Sequence, residues 1–481
     1  MKEYAPLQKE IKKLTANTLP MHMPGHKRGL TPADGLPYDW DITEISGADD
    51  LHCANGILKD AMERASALWG SRRTWFLVGG STCGILAAIR AAAPFGSEVI
   101  AARNCHRSVY HAIELGGYKV HWIVPEQYQR FRISGHIAPG QVCSMLRRFP
   151  DSAAVILTSP TYEGVVSDIG KIAEECHRYG IPLVVDEAHG AHFGLYEEGG
   201  FPESAVTLGA DAVVQSTHKT LPSLTQTALL HLQGDLLSGK EIERQLGIFE
   251  TSSPSYPLMI SIDSCVQLLR DEGPALFKEW KRNLDEFYRF AEELVYIKAW
   301  GTNEREERRK EAPPRDRSKI LLSFGKAGMS GAEAAQILRR KYGVETEMSS
   351  GSNVLAMTGC GDSAENYRRF CSALREMDRF LRESGLKAEV SRDTVKLPGV
   401  RTVCRILDAV SSPREEVPLT EAEGRICGEY LYAYPPGIPI LAPGEYIERE
   451  HLMIIRQMEE NGDTVHHTDA SDSRCIVCLS E

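Results

Sequence analysis

At 481 residues the chain exceeds what one ordinary core holds, so length predicts two or three domains of about 100 to 200 residues each and excludes a small cross-linked scaffold. With 42% hydrophobic and 25% charged residues the composition is that of a globular protein. Its best apolar run, Gly84 to Phe95, is broken by Arg90 and Pro94, short of the roughly 20 residues that span a bilayer. A net charge of -11 argues against broad nucleic-acid binding and suits a cationic small substrate better. The N-terminus MKEYAPLQKEIKK lacks the apolar core of a signal peptide, and 12 cysteines are too sparse for a disulfide framework, so the reducing cytoplasm is the expected compartment.

Residues 1–54 are expected to form an N-terminal arm. From residue 70 to residue 235 short apolar runs alternate with longer amphipathic segments, the rhythm of a parallel α/β sheet. Strands are predicted at Thr74 to Val78, Glu98 to Ala101, Lys119 to Val124, Ala153 to Thr158, Leu183 to Val185, Ala212 to Gln215 and Ala228 to Leu232. Most are β-branched or aliphatic nearly throughout, as expected of a sheet covered on both faces. Helices are predicted at Gly84 to Ala92, Ser108 to Leu115 and Ile169 to Arg178. This large domain is expected to span 55–290, and a long charged helix from Pro274 to Ile297 leads out of it. Thr302 to Lys319, almost wholly charged with two prolines, reads as an exposed loop or linker. A strand at Ile320 to Phe324, a helix at Gly331 to Tyr342 and a strand at Asn353 to Thr358 predict a smaller α/β domain over 291–390. The C-terminal domain, 391–481, contains Tyr434-Pro-Pro-Gly-Ile-Pro-Ile-Leu-Ala-Pro-Gly-Glu445, whose four prolines impose an extended path. There is no internal repeat or low-complexity stretch.

Ligands in open α/β sheets bind beyond the C-terminal ends of the strands, and five turns there carry polar groups of complementary kinds. Gly79-Gly-Ser-Thr-Cys-Gly84 offers small residues, the hydroxyls of Ser81 and Thr82 and helix-start N–H groups, the parts of a phosphate cradle, although most Gly-Ser turns are merely turns. His106, after the next strand, could stack on a flat ring or simply cap a helix. Glu163 could pair with a cationic substrate group or be an ordinary loop carboxylate. Asp186 follows a buried apolar strand, where an unpaired acid is costly, so it calls for a cation, a metal or a protonated heterocycle. Lys219, in Ser216-Thr-His-Lys219, ends another strand. It is either a surface residue or a desolvated Schiff-base nucleophile.

Two other motif readings compete. Asp186-Glu-Ala-His189 matches a DEAH box and Gly234-Asp-Leu-Leu-Ser-Gly-Lys240 nearly matches a Walker A loop, but residue 241 is Glu where Mg²⁺ needs a hydroxyl, and the loop follows the acidic strand instead of preceding it. His22 and His26 cannot share a helix face across Pro24 and Gly25. His466, His467, Cys475 and Cys478 could close a small zinc site, but a single CxxC is a loose pattern; the plainer reading is reduced thiols, and no metal is expected. Together the five turns supply a phosphate cradle, a stacking imidazole, a carboxylate for a pyridinium nitrogen and a Schiff-base lysine, which describes a pyridoxal 5'-phosphate site.

Met23-Pro-Gly-His-Lys27, Gly47-Ala-Asp-Asp-Leu-His52, Arg103-Asn-Cys-His106, Asp186-Glu-Ala-His-Gly190, Ser216-Thr-His-Lys219 and Tyr434-Pro-Pro-Gly-Ile-Pro439 resemble, in order and over nearly the whole chain, the Orn/Lys/Arg decarboxylase family of fold-type I pyridoxal-phosphate enzymes. The resemblance is to short biosynthetic arginine/lysine decarboxylases. The N-terminal wing domain of the long acid-induced members is missing, so their decamers are not expected. The resemblance implies an aspartate-aminotransferase-like large domain with a mainly parallel seven-stranded sheet, a small α/β domain, a C-terminal domain and a homodimer with active sites at its interface. Carried over by position, Lys219 would hold the cofactor covalently, Asp186 would keep its ring nitrogen protonated, and His106 would stack on the ring. Ser81, Thr82, Ser216 and His218 would contact the phosphate, and His189 would lie near the ring hydroxyl. Lys219 or His218 would return a proton to the substrate α-carbon, and Asp49, Asp50 and His52 of the arm would reach a partner's cleft. The implied reaction is decarboxylation of arginine, with lysine or ornithine next, to the corresponding amine of polyamine metabolism. A fold-type I aminotransferase or carbon–carbon lyase would share Lys219 and Asp186. A silent cofactor-binding regulator would have little reason to keep both.

Overall fold

The computed structural model describes residues 5–16, 18–302, 314–383, 399–433, 437–460 and 464–480. Helices α1 (Pro6–Ala16) and α2 (Ile57–Trp69) precede the first strand. The predicted apolar runs form β1 (Arg73–Leu77), β2 (Glu98–Ala102), β3 (Lys119–Ile123), β4 (Val155–Thr158), β5 (Leu183–Asp186), β6 (Ala212–Ser216) and β7 (Ala228–Leu232). They make one sheet in the order β1-β7-β6-β5-β4-β2-β3. All neighbours are parallel except β7, which runs antiparallel to both β1 and β6. The fold is the expected fold-type I architecture with a mainly parallel sheet of seven strands.

The connecting helices are α3 (Gly80–Ala92), α4 (Arg107–Gly116), α5 (Pro139–Arg148), α6 (Ile169–Arg178), α7 (Thr217–Thr220) and α8 (Gly239–Phe249). They pack on both faces, so β5, β6 and β7 are buried at every position. Each aliphatic side chain so covered contributes about 1.5–3 kcal/mol of hydrophobic stabilisation. α3 lies unusually close to the sheet because residue 84 is glycine: a Cβ there would come within 2.4 Å of Leu77 Cδ1.

α9 runs unbroken from Tyr256 to Ala291 with Pro274 inside it, so the expected helix from Pro274 to Ile297 begins a full five turns early and stops short of its predicted end. A proline removes one intrahelical hydrogen bond, but the buried stripe Ile262, Val266, Leu269, Gly273, Phe277, Trp280, Leu284 and Phe287 continues through it and holds the helix together. Beyond it, β8 (Lys298–Ala299), β9 (Lys319–Ser323), β10 (Met348–Ser350) and β11 (Asn353–Met357) form an antiparallel sheet in the order β8-β9-β11-β10; α10 (Gly331–Tyr342) packs on β10 and β11, and α11 (Ala364–Glu383) packs on α9.

The linker expectation needs correction at its C-terminal end. Residues 303–313 lie outside the described residues, but Asp316, Ser318 and Lys319 are fully buried. Their charges are satisfied by one another and by the large domain instead of by water.

The last segment forms β12 (Arg414–Pro418) paired with β16 (Cys475–Leu479), and β13 (Leu431–Ala433) between β14 (Ile438–Leu441) and β15 (Val465–His467). Val417, Leu431, Leu441, Ile455 and Ile476 fill a core of their own. Residues 434–436 of the proline-rich motif lie outside the described residues; Ile438–Leu441 is extended as expected. Among the described residues no three His, Cys, Asp or Glu side chains converge as a metal site. His467 instead meets Glu429 at 3.3 Å.

Candidate active site

The strand order brings the C-terminal ends of β4, β5 and β6 side by side, with β2 next to β4. Register pairs Thr158 with Asp186 and Asp186 with Val214, so the turns that follow these strands share one edge of the sheet. Asp186 is the last residue of β5 and is buried. Its Oδ1 accepts the Ala188 N–H at 3.1 Å, and among the described residues no donor reaches Oδ2. Burial pushes its carboxyl above the usual range while the Lys219 charge pulls it back.

Lys219 sits in the single turn of α7, and its Nζ lies 2.9 Å from His189 Nε2. Burial pulls the Lys219 amine below its ordinary range; Asp186 and Glu347 oppose that and Lys319 adds to it. Burial, then the charges of Lys219 and Lys319, also holds His189 well below the ordinary imidazole value. A neutral His189 therefore accepts from Lys219 at Nε2 and carries its proton on Nδ1, which is buried and has no partner among the described residues.

His106 caps α4, its Nδ1 accepting from the Ser108 N–H at 3.2 Å. Burial, with Lys219 nearby, lowers it to about 4, so the ring is neutral at ordinary pH. His218 donates from Nδ1 to the Thr227 carbonyl at 2.8 Å, which leaves Nε2 as its acceptor nitrogen, and burial lowers its pKa. Ser216 closes β6 with a buried hydroxyl that has no partner among the described residues. Ser81 and Thr82 lie in the first turn of α3, where N–H groups have no intrahelical acceptor, and Gly80 enters the turn at φ +78. Glu250, which the sequence did not single out, braces this turn from behind, accepting from the N–H groups of Val78 and Gly79 at 3.1 and 3.0 Å.

Three of the candidates stand apart from the Lys219 contacts. Glu163 accepts from Thr161 Oγ1 at 3.0 Å, and burial raises its pKa. Asp49 caps the start of α2, taking the N–H groups of Asn55, Gly56 and Leu58, and Asp50 takes that of His52. Beside Glu163, Tyr162 leans on the His189 ring at 4.5 Å and donates its hydroxyl to the exposed Glu347, two residues that carried no motif.

These groups fit pyridoxal phosphate. Asp186 Oδ2 lacks a donor and suits a protonated ring nitrogen, Ser216 Oγ is a buried orphan beside a helix start, and the Lys219 amine is desolvated. Fold and site together define the class as a fold-type I pyridoxal-phosphate enzyme.

Comparison with known proteins narrows the class. The model of the Orn/Lys/Arg decarboxylase major domain matches residues 5–301, and that of the C-terminal domain of the same family matches residues 406–467. The chain is 31% identical over 499 residues to an arginine decarboxylase of Bacillus subtilis (strain 168), covering 99% of this chain and 98% of that one. It is 34% identical over 458 residues to the uncharacterized protein YaaO of the same organism, covering 92% and 91%. Among solved structures it superposes on the Francisella novicida lysine decarboxylase LdcF with a TM-score of 0.83 at 18% identity, over 100% of this chain and 82% of that one. The chain belongs to the Orn/Lys/Arg decarboxylase family, and its reaction class is decarboxylation of a basic amino acid.

Proposed function

We propose that this chain converts arginine to agmatine and carbon dioxide, with lysine and then ornithine as the next substrates, using pyridoxal phosphate carried on Lys219. The observation that carries the reading is the desolvated Lys219 amine, 2.9 Å from a neutral His189, with the buried Asp186 within electrostatic reach. The similarity to arginine decarboxylases over nearly the whole chain favours arginine.

Bound pyridoxal phosphate supplies an electron sink for the pair left when the α-carboxylate departs. Asp186 would hold the ring nitrogen protonated, His106 would cover the ring, and Ser81, Thr82, Ser216 and His218 would hold the phosphate. Burial keeps the Lys219 amine ready to act as nucleophile. Lys219 Nζ, or His218 once its Nε2 has taken up a proton, would deliver the proton to the α-carbon, and His189 Nε2 orients the Lys219 amine. Glu163, with Asp49 and Asp50 from a second copy, would face the substrate's cationic end.

The same reading divides the chain into an arm (1–54), a cofactor domain (55–290), a small domain (291–390) and a C-terminal domain (391–481). It also predicts a homodimer. Leu19, Met21, Met23 and Leu30 of the arm are 67–83% exposed in the single chain, apolar surface that a second copy would cover, and sedimentation of the full chain tests this. The twelve unpaired cysteines suit the cytoplasm, and the amine product suits polyamine metabolism.

The test is incubation of the full chain with pyridoxal phosphate and arginine, lysine or ornithine in turn, measuring carbon dioxide and the amine formed. Arginine should give the highest kcat/KM. A higher value for lysine would move the substrate assignment, and no carbon dioxide from any of the three would overturn the function.

A further inference from the structure

A buried polar cluster that the mechanism does not use reaches the Lys219 helix from the small domain. Lys319, at the start of β9, donates from Nζ to Asp316 Oδ2 at 3.0 Å, to Ser318 Oγ at 3.3 Å and to the backbone carbonyl of His189 at 3.2 Å. Asp316 also accepts from the Ser318 N–H at 2.9 Å, the Ser318 hydroxyl at 2.7 Å and His192 Nε2 at 3.3 Å. Burial alone would raise the Asp316 pKa, but Lys319, His192 and Ser318 outweigh it and keep the carboxylate ionised. His192, held neutral by burial, has its one proton on Nε2 toward Asp316, so its Nδ1 accepts from Thr220 Oγ1 at 3.1 Å.

This one short segment touches the turns after two neighbouring strands and reaches the turn after a third through His192. The Asp316 N–H donates to the Gly164 carbonyl at 2.8 Å, after β4. Gly164 has φ +98, and a Cβ there would come within 2.9 Å of the Lys319 stem, so the absence of a side chain admits the lysine. After β5 the segment meets His189 and His192, and through His192 it reaches Thr220, the residue next to Lys219. A buried ion pair adds little stability that apolar side chains of the same volume would not supply, so stability alone does not account for it.

We propose that Lys319 is a positioning residue for Lys219: clamped by Asp316 and Ser318, its ammonium fixes the His189 carbonyl and so aims the His189 imidazole at the Lys219 amine. Its charge acts separately, disfavouring the protonated Lys219 amine. The titratable groups facing the Lys219 amine are His189, His106, His218, Asp186, Glu347 and Lys319. The two carboxylates favour a protonated amine and the three histidines are lowered toward the neutral form, which among the described residues leaves Lys319 as the cation opposing protonation. The inference rests on Lys219 being the cofactor lysine, and its test does not require decarboxylation.

The experiment is pulse acetylation of the cofactor-free full chain by acetic anhydride across pH 6 to 10, with labelling of Lys219 quantified by peptide mass spectrometry. Lys319→Met should move the labelling midpoint of Lys219 up by about one pH unit or more. Lys319→Arg, which keeps the charge, should leave it near that of the parent. Because Lys319→Met strands Asp316 in the interior, the doubly neutral Lys319→Met/Asp316→Asn variant guards against unfolding and should also shift upward. An unchanged midpoint in that double variant, with native near-ultraviolet circular dichroism, would overturn the proposal. Loss of decarboxylation in the parent chain would instead strike the functional reading and leave this result standing.

Discussion

A carboxylate at the end of a buried strand is tolerated only if something cationic meets it, and Asp186 has a single backbone donor on one oxygen. Asp186→Asn should therefore still bind pyridoxal phosphate but lower kcat by about 100- to 1000-fold, the range for removing one pre-organised electrostatic partner. Steady-state kinetics beside a fluorescence binding titration checks this, and kcat within twofold of the parent would refute the role. Lys219, Asp186 and His106 were legible in the sequence because each follows an apolar run that could only be a strand, and such positions project into the ligand cleft. Lys319 and Asp316 were not. They close a run of charges that reads as solvated, and nothing local says that two of those charges neutralise each other inside. Tyr162 and Glu347 were equally silent, since their contact joins residues far apart in the chain.

Among the elements, the end of β2 is anchored by the C-terminal segment. Arg103, three residues before His106, donates to the carbonyls of Pro439 and Ile440 at 2.7 and 3.2 Å and to Glu445 Oε2 at 3.0 Å, with both charged side chains largely buried. These contacts tie the turn that carries His106 to β14 and to Glu445 just beyond it. Glu445→Ala should destabilise the chain by about 3–5 kcal/mol, because it leaves a buried guanidinium without its counter-charge. Urea unfolding measures this; Arg103→Met/Glu445→Leu should recover most of the loss, and equal destabilisation in both variants would contradict the argument. Element type was readable from periodicity: Gly331–Tyr342 stands where the sequence predicts it, and every large-sheet strand lies within two residues of its predicted ends. The continuity of α9 through Pro274 was not, because local breaking chemistry was outweighed by packing that only the assembled core provides.

For the molecule as a whole, the reversed strand β7 brings an ionisable group into the buried interior. His231 is fully buried, facing Thr74 Oγ1 at 2.8 Å and Gln215 Oε1 at 3.2 Å, and burial lowers it from 6.5 to about 3. The unfolded chain takes up this proton as pH falls below 6.5 and the folded chain only near 3, so stability is lost progressively as pH drops through that window. His231→Asn, which keeps a partner for Thr74, should show a smaller difference in urea midpoint between pH 7.5 and pH 5 than the parent; an equal difference would exclude His231 as a source of acid sensitivity. The most direct test of the central claim, that Lys219 carries the cofactor, is borohydride reduction of the full chain loaded with pyridoxal phosphate, followed by peptide mass spectrometry. A phosphopyridoxyl group should appear on Lys219, and its appearance on another lysine, or on none, would contradict that assignment.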